Sequence, residues 1–510
     1  MNGAEFRGFQ FWDGLVLGGY FCLLVVTGLV FTRRQTDTDD YFRASRRIPM
    51  LAAAVSFLAT ALSAATFIGG PQQAFVGDLT YLSANLGSII AAVVVALFFV
   101  PAFFKHDVPT VYGLLRVRFG VRSSMAAGGT FLAGRVFASG ARLYIAALPA
   151  SWIIYGDIGT RHLLISIAVL TLVGTTYTLA GGIRSVILTD VIQTVIFVGT
   201  AVVACVVLLD KIPLGLGGII DALKHPAAGE PSKLTVFKLG LDGLNAKYTL
   251  LTAVFGFTLL GIGSYGTDQD MAQRMLSCRD AKRGSLTAIT GILIGLPVTA
   301  LFMGIGLLLF IFYRRPDIMA EAAPVYAVGG GRQIFLEFLL HEIPVGLTGL
   351  MMAGLFAAAL SSLNSALNAM SSSLINDFYR RLRPGRDERH YLKAGRSGVA
   401  LCGAVIGLFA VGSAFWQEAH PEATLIDFAL QVMIFAYAGL VAVYLTALFT
   451  RRGNETSVIA ALGVGFAVAL TLTMAWGANI AYAWTMLIST GLAFAVCCLG
   501  GHREPEVKPV

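Results

Sequence analysis

Charge is what this sequence has least of. Only 13% of its 510 residues are charged and 56% are hydrophobic, whereas an ordinary soluble domain carries roughly 25% charged residues. That little charge cannot cover the three or four domains such a length would make in water, so a soluble protein is excluded. Histidine is also scarce. His106, His162, His225, His341, His390, His420 and His502 all fall in loops or at the edges of apolar runs, which leaves no mid-membrane pair for a haem. Five of the six cysteines (Cys22, Cys205, Cys402, Cys497 and Cys498, but not Cys278) lie inside apolar runs, so neither a disulfide framework nor a zinc site is suggested. No Gly-Lys pair occurs, which removes the P-loop an ATP-driven pump would need. No catalytic group, organic cofactor or transition-metal site is expected.

What is abundant is long apolar runs. A hydrocarbon core about 30 Å thick takes about 20 apolar residues per helix. Candidate spans fall at 11–32, 49–76, 82–104, 124–154, 162–180, 186–209, 248–266, 285–313, 344–375, 394–415, 426–449, 456–476 and 480–499. The first follows Glu5, Arg7 and Asp13 rather than a basic segment and is read as a retained helix, not a signal peptide. Thirteen spans put the two termini on opposite sides. With the N-terminus outside, 25 of the 37 basic residues face inward and ten outward, and Arg135 and Arg142 remain within a span. Inward loops are the ones enriched in Lys and Arg, so the orientation is N-out, C-in. The net charge of +8 then records orientation in a bilayer rather than a nucleic-acid partner. The outward loops at roughly 210–247 and 314–343 are long enough to cap an external vestibule or to be plain connectors.

Helix-breaking clusters inside apolar runs mark places where the backbone meets protein or a water-filled cavity. The second span has Ala59-Thr60-Ala61-Leu62-Ser63-Ala64-Ala65-Thr66, followed by Gly69-Gly70-Pro71. The seventh has Gly256, Gly261, Gly263 and Gly266 around Ser264 and Tyr265. They lie five spans apart. Because five is odd, two five-helix units would cross the membrane in opposite senses, the inverted repeat of secondary transporters. Small residues equally serve ordinary helix contacts. In the ninth span Ser361, Ser365 and Asn368 fall at i, i+4 and i+7, on one helix face. Such oxygens suit a small hard cation, and they also glue helices together.

These blocks resemble the sodium:solute symporter family (solute carrier family 5-like). The match runs through Asp40-Tyr41-Phe42 with Ala44, Ser63 to Gly69, Tyr177 with Gly181-Gly182 through Thr189-Asp190-Val191-Ile192-Gln193, Asp268-Gln269 with Gln273-Arg274, and the serine-rich ninth span ending Asn376-Asp377-Phe378-Tyr379. The resemblance implies an all-α polytopic membrane protein with a LeuT-type 5+5 inverted-repeat core. The corresponding divisions are 1–48 (outer N-terminus, first span and inward loop), 49–209 (first repeat), 210–247 (external loop), 248–449 (second repeat) and 450–510 (two extra spans and tail).

The resemblance also implies a sodium site from the carbonyls of Ala59, Leu62 and Ala358 and the hydroxyls of Ser361 and Ser362. A second sodium site would use Asp190 and Ser365, with Asn364 standing where the family has a Ser or Thr. Substrate candidates are Ser63, Thr66, Phe67 and Gln72 at the second-span break, Ser264 and Tyr265 at the seventh, and Arg142. Ser264 stands where the sugar carriers place an aromatic gate, which disfavours a sugar. An arginine such as Arg142 within a span needs a partner or an anion. The expected function is Na⁺-coupled import of a small carboxylate by alternating access, through the plasma (inner) membrane. The alternatives are a proton-coupled or uncoupled carrier of a neutral sugar or amino acid, and a transporter-like sensor. Expected partners are the solute, Na⁺ and the lipid bilayer, with no nucleic acid.

Overall fold

The computed structural model describes residues 10–32, 37–226, 230–240, 243–319, 334–419, 425–476 and 479–501. Expectations for the chain before Gln10, for Arg33, Arg34, Arg332 and His420, for the tail from His502 and for the side chain of Tyr177 lie outside these residues.

Lipid offers no partner to backbone N–H and C=O groups, so the apolar runs satisfy them internally as helices. In chain order these are α1 (Phe11–Thr32), α2 (Thr38–Arg43), α3 (Met50–Ala61), α4 (Ala64–Val76) and α5 (Ala84–Val94), the last continuing through a π turn into α6 (Val100–Lys105). Next come α7 (Tyr112–Phe119), α8 (Val121–Tyr155), α9 (Thr160–Lys211), α10 (Leu216–Lys224), α11 (Thr258–Ile262), α12 (Gln269–Leu276) and α13 (Ala281–Arg314). The chain closes with α14 (Ile334–His341), α15 (Leu347–Ser373), α16 (Arg380–Leu382), α17 (Glu388–Ala419), α18 (Leu425–Phe449), α19 (Glu455–Trp476) and α20 (Tyr482–Cys498). Each of the 13 apolar runs carries helix. Among the described residues, 8 helices are long and apolar enough to cross a membrane, or 9 with the bent pair α3–α4.

The serine-rich α15 is buried along most of its length, whereas α19 leaves most of its surface exposed. Against α15 pack α1, α3, α4, α8, α9, α12 and α17, so the serine-rich helix occupies the middle of the bundle. Its first turn is pinned from α1. One carboxylate oxygen of Asp13 accepts from Gly346 N at 2.7 Å and Gly349 N at 2.9 Å, where the orphan amides of a helix N-terminus favour an anion.

The first interruption is where the small-residue cluster places it. Helix α3 stops at Ala61, Leu62 (φ −83°, ψ 141°) and Ser63 (φ −147°, ψ −179°) are extended, and α4 leaves at 59° to α3. Ser63 Oγ accepts from Ala65 N at 3.3 Å and caps the new helix. The second interruption differs from the sequence expectation. Through its glycines the seventh span stays wound, in wide π turns on either side of α11, and opens only at Asp268 (φ −92°, ψ 121°). The glycines serve close approach instead: a Cβ at Gly263 would lie 2.8 Å from Tyr437 Cβ, and one at Gly266 2.8 Å from Phe99 Cδ1. The break belongs to Asp268, whose carboxylate caps α12 through Asp270 N at 2.9 Å.

Within α9, Gly182 sits at φ +60°, ψ −179°, a conformation side chains avoid. It divides α9 into the two arms read from the sequence as separate spans. At one face of the bundle α2 closes inward, with Tyr41 fully buried and its hydroxyl donating to Thr178 O at 3.4 Å. At the other, the long loop covers the end of α4. Lys233 Nζ donates to Phe75 O and Gly77 O, both at 2.8 Å, and Lys238 pairs with Asp78 at 2.7 Å. Burial opposes ionisation of Asp78, but Lys238 and the hydrogen bonds from Thr80 outweigh it and hold the carboxyl below its ordinary range.

Candidate functional site

Ending α3 at Ala61 leaves the carbonyls of its last turn without helical donors. Leu58 O still accepts from Leu62 N at 2.9 Å, while Ala59 O has no backbone donor among the described residues. That gap faces α15. Ala59, Leu62, Ala358 and Ser361 line one narrow opening of about 10 Å³ together with Gln193, Thr194, Phe197 and Ala357, about the room of a single water-sized occupant. Ser362 lies at its edge, where its hydroxyl donates to Leu62 O at 3.3 Å. Four of the five residues expected to hold sodium therefore share one opening, and the fifth bonds to its wall. Backbone carbonyls and hydroxyls there are hard oxygen donors suited to a hard cation.

The expected second group is differently placed. Asp190 is fully buried. It accepts from Ser361 Oγ on Oδ1 and from Ser56 Oγ on Oδ2, both at 2.5 Å, and Oδ2 also takes Arg274 Nη2 at 3.1 Å. Arg274 Nη2 also donates to Ser365 Oγ, and Asn364 Oδ1 accepts from Thr178 Oγ1 at 2.9 Å. Arg274 corrects the sequence reading, which counted it among inward-loop charges: it is 0% exposed, on α12.

From Arg274 a chain of ion pairs crosses the core. Its Nη1 reaches Asp270 Oδ1 at 3.0 Å, Asp270 Oδ2 takes Arg135 at 2.5 Å, and Arg135 also holds Asp268 at 2.9 Å. Tyr437 closes the far end by donating to Asp268 Oδ2. Three carboxylates thus face two guanidiniums. Their pairing needs contacts between residues far apart in sequence, as between Asp190 and Arg274; the available signal was Asp268, Asp270 and Arg274 crowded into an otherwise apolar region.

Beyond Arg135 lies a cavity of about 150 Å³. Thr66, Arg142, Ser264 and Tyr265, all expected on the substrate path, line it, with Thr60, Asn85, Ser88 and Thr299 adding polar groups. Ser63, Phe67 and Gln72 are not on its wall. Ser63 is consumed as the cap of α4, Phe67 packs among Phe197, Phe302 and Phe335, and Gln72 is buried on α4. Arg142 has no ion-pair partner among the described residues. Its Nη2 meets only Met433 Sδ at 3.7 Å, and its Nε is unbonded.

A second span broken at Leu62 and Ser63, a seventh that opens at Asp268, a small opening between α3 and α15 and a polar cavity beside Arg135 define a multi-pass membrane transporter of the LeuT-type 5+5 fold. Residues 41–465 match the sodium:solute symporter family, and the chain belongs to that family. It is 28% identical to the sodium/sialic acid symporter SiaT of Proteus mirabilis, over 93% of this chain and 92% of the relative. It is 27% identical to the sodium/sialic acid symporter NanT of Aliivibrio fischeri, over 92% and 88%, and 26% identical to the human sodium/iodide cotransporter, over 93% and 68%. A solved Na⁺-coupled sialic acid symporter, in a substrate-bound outward-open state, superposes with a TM-score of 0.83 at 26% identity, covering 96% of this chain and 97% of that one. The nucleobase-cation-symport-1 family transporter Mhp1, in a closed conformation, gives a TM-score of 0.56 at 17% identity over 89% and 93%, a likeness of fold alone.

Proposed function

We propose that this chain couples the entry of Na⁺ to the import of a small carboxylate-bearing solute by alternating access, with sialic acid the first to test because two of its relatives and a solved neighbour are named for it. The observation that carries the reading is Arg142, a guanidinium on the cavity wall with no ion pair among the described residues. An unpaired charge in a low-dielectric core is costly and calls for an anion.

Na⁺ would sit against Ala59, Leu62, Ala358, Ser361 and Ser362, between the broken span and α15. Asp190, which accepts the Ser361 hydroxyl, supplies negative charge behind it. The ion-pair chain, with its surplus carboxylate, runs from Asp190 beside this place to Arg135, which shares the cavity wall with Arg142. Cation and anion binding together leave the core closer to neutral than either alone, so each raises the other's affinity, typically by roughly 1–3 kcal/mol. The membrane potential adds about 2.3 kcal/mol per charge per 100 mV to entry of the cation. The orientation is N-out, C-in with thirteen spans in the plasma (inner) membrane, the boundaries 1–48, 49–209, 210–247, 248–449 and 450–510 dividing it as above. No chemical step is assigned to the protein.

The test is uptake of labelled sialic acid and simple monocarboxylates into proteoliposomes with an inward Na⁺ gradient or with Na⁺ replaced. Accumulation that persists unchanged without Na⁺ overturns the reading. Ser361→Ala with Ser362→Ala should raise the Na⁺ concentration for half-maximal uptake roughly tenfold or more, the scale of two lost oxygen contacts.

A further inference from the structure

We infer that the guanidinium of Arg274 takes the place of a second sodium ion, so that one Na⁺ binds per chain. The inference rests on the Na⁺-coupled reading above and concerns how many ions it involves.

The oxygens that could build a second site beside Asp190 are already engaged. Asp190 Oδ2 holds both Ser56 Oγ at 2.5 Å and Arg274 Nη2 at 3.1 Å. Ser365 Oγ, one helical turn past Ser361 on α15, accepts from the same Nη2 and lies 3.5 Å from Thr60 Oγ1. Asn364, where the resemblance leads one to expect a hydroxyl, gives its amide oxygen to Thr178 at 2.9 Å, and its Nδ2, a donor that cannot ligate a cation, is buried and unbonded.

Arg274 is held there from several sides. Nε donates to Ser56 Oγ at 2.8 Å and Ser56 O at 3.2 Å, and Nη1 to Asp270 O at 2.6 Å. With every nitrogen bonded and no surface exposed, the guanidinium is a fixed positive charge built into the core. A sodium ion about 4 Å from it would have its affinity cut roughly a thousandfold at the effective dielectric of a protein. The first site keeps its ligands: Ser361 donates its only proton to Asp190, whose carboxylate stands between it and the guanidinium, and retains its lone pairs for an ion among Ala59, Leu62 and Ala358.

Equilibrium binding of radiolabelled Na⁺ to the purified full chain needs no solute. One ion per chain at saturation is expected, and two per chain would overturn the inference while leaving Na⁺ coupling intact. Binding of none overturns the Na⁺-coupled reading itself, and the inference with it. Arg274→Gln, retained if it elutes as folded protein, should raise the count from one to two by uncovering Asp190 and Ser365. A folded variant that still binds one, or none, would show that the guanidinium is not what stands in for the second ion. Should the variant not fold, the wild-type count decides alone.

Discussion

Arg142 and Arg135 lie on the same helix and line the same cavity, yet their chemistry is opposite. Arg135 is spent on Asp268 and Asp270 and positions the wall, whereas Arg142 has no ion-pair partner among the described residues and is the group proposed to meet the solute. Arg142→Ala should therefore raise KM for a carboxylate solute roughly 10- to 100-fold, the worth of a charge-assisted hydrogen bond, and Arg142→Lys should recover part of it. Uptake kinetics check both. An equal effect on a solute lacking the carboxylate would count against the contact. The residues legible in the sequence were those whose signal is local: Arg142 as an odd charge in an apolar run, Ser361 and Ser365 by their helical spacing. The role of Arg274 was not legible, because its partner Asp190 lies on another helix and only folding brings the two to 3.1 Å.

At the scale of elements, small residues foretold the break between α3 and α4 but misplaced the second one. A glycine in a membrane helix reports close packing as readily as unwinding, and at Gly263 and Gly266 packing won. The short helix α14 carries a titratable pair of its own. Burial pushes the Glu337 carboxyl up to about 7, and burial also lowers the pKa of His341, whose Nε2 lies 3.2 Å from it. A carboxyl raised in the folded state keeps a proton that the unfolded chain releases near its ordinary 4.5. The stabilising contribution is complete below that value and is lost as the pH rises through about 7. Relative to Glu337→Gln, the wild-type melting temperature should fall between about pH 5 and pH 8. Parallel curves for the two proteins would contradict this.

For the molecule as a whole, composition and charge sorting were enough to read a membrane bundle and assign it a direction, because both depend on sums over many residues. How the helices nest around α15 was not accessible that way, since it depends on which faces meet. The assigned direction is testable on intact right-side-out vesicles. A membrane-impermeant maleimide should label Leu239→Cys, in the long loop beside α4, above the wild-type background, and should label Arg386→Cys only after permeabilisation. The reverse pattern would invert the orientation.

The carboxylate of Asp13 gives α15 a fixed end. One oxygen serves both Gly346 N and Gly349 N, and the Cβ that Gly349 lacks would stand 2.4 Å from Asp13 O, so the two backbones touch. A helix gripped at one tip in this way is a lever with a pivot. It can tilt about Asp13, but sliding along its axis by one residue, about 1.5 Å, would pull both amides off the carboxylate. Ser361 and Ser362 lie three to four turns from that pivot, about halfway along α15, so a tilt about Asp13 is carried to the place where the ion would sit and grows further toward Ser373.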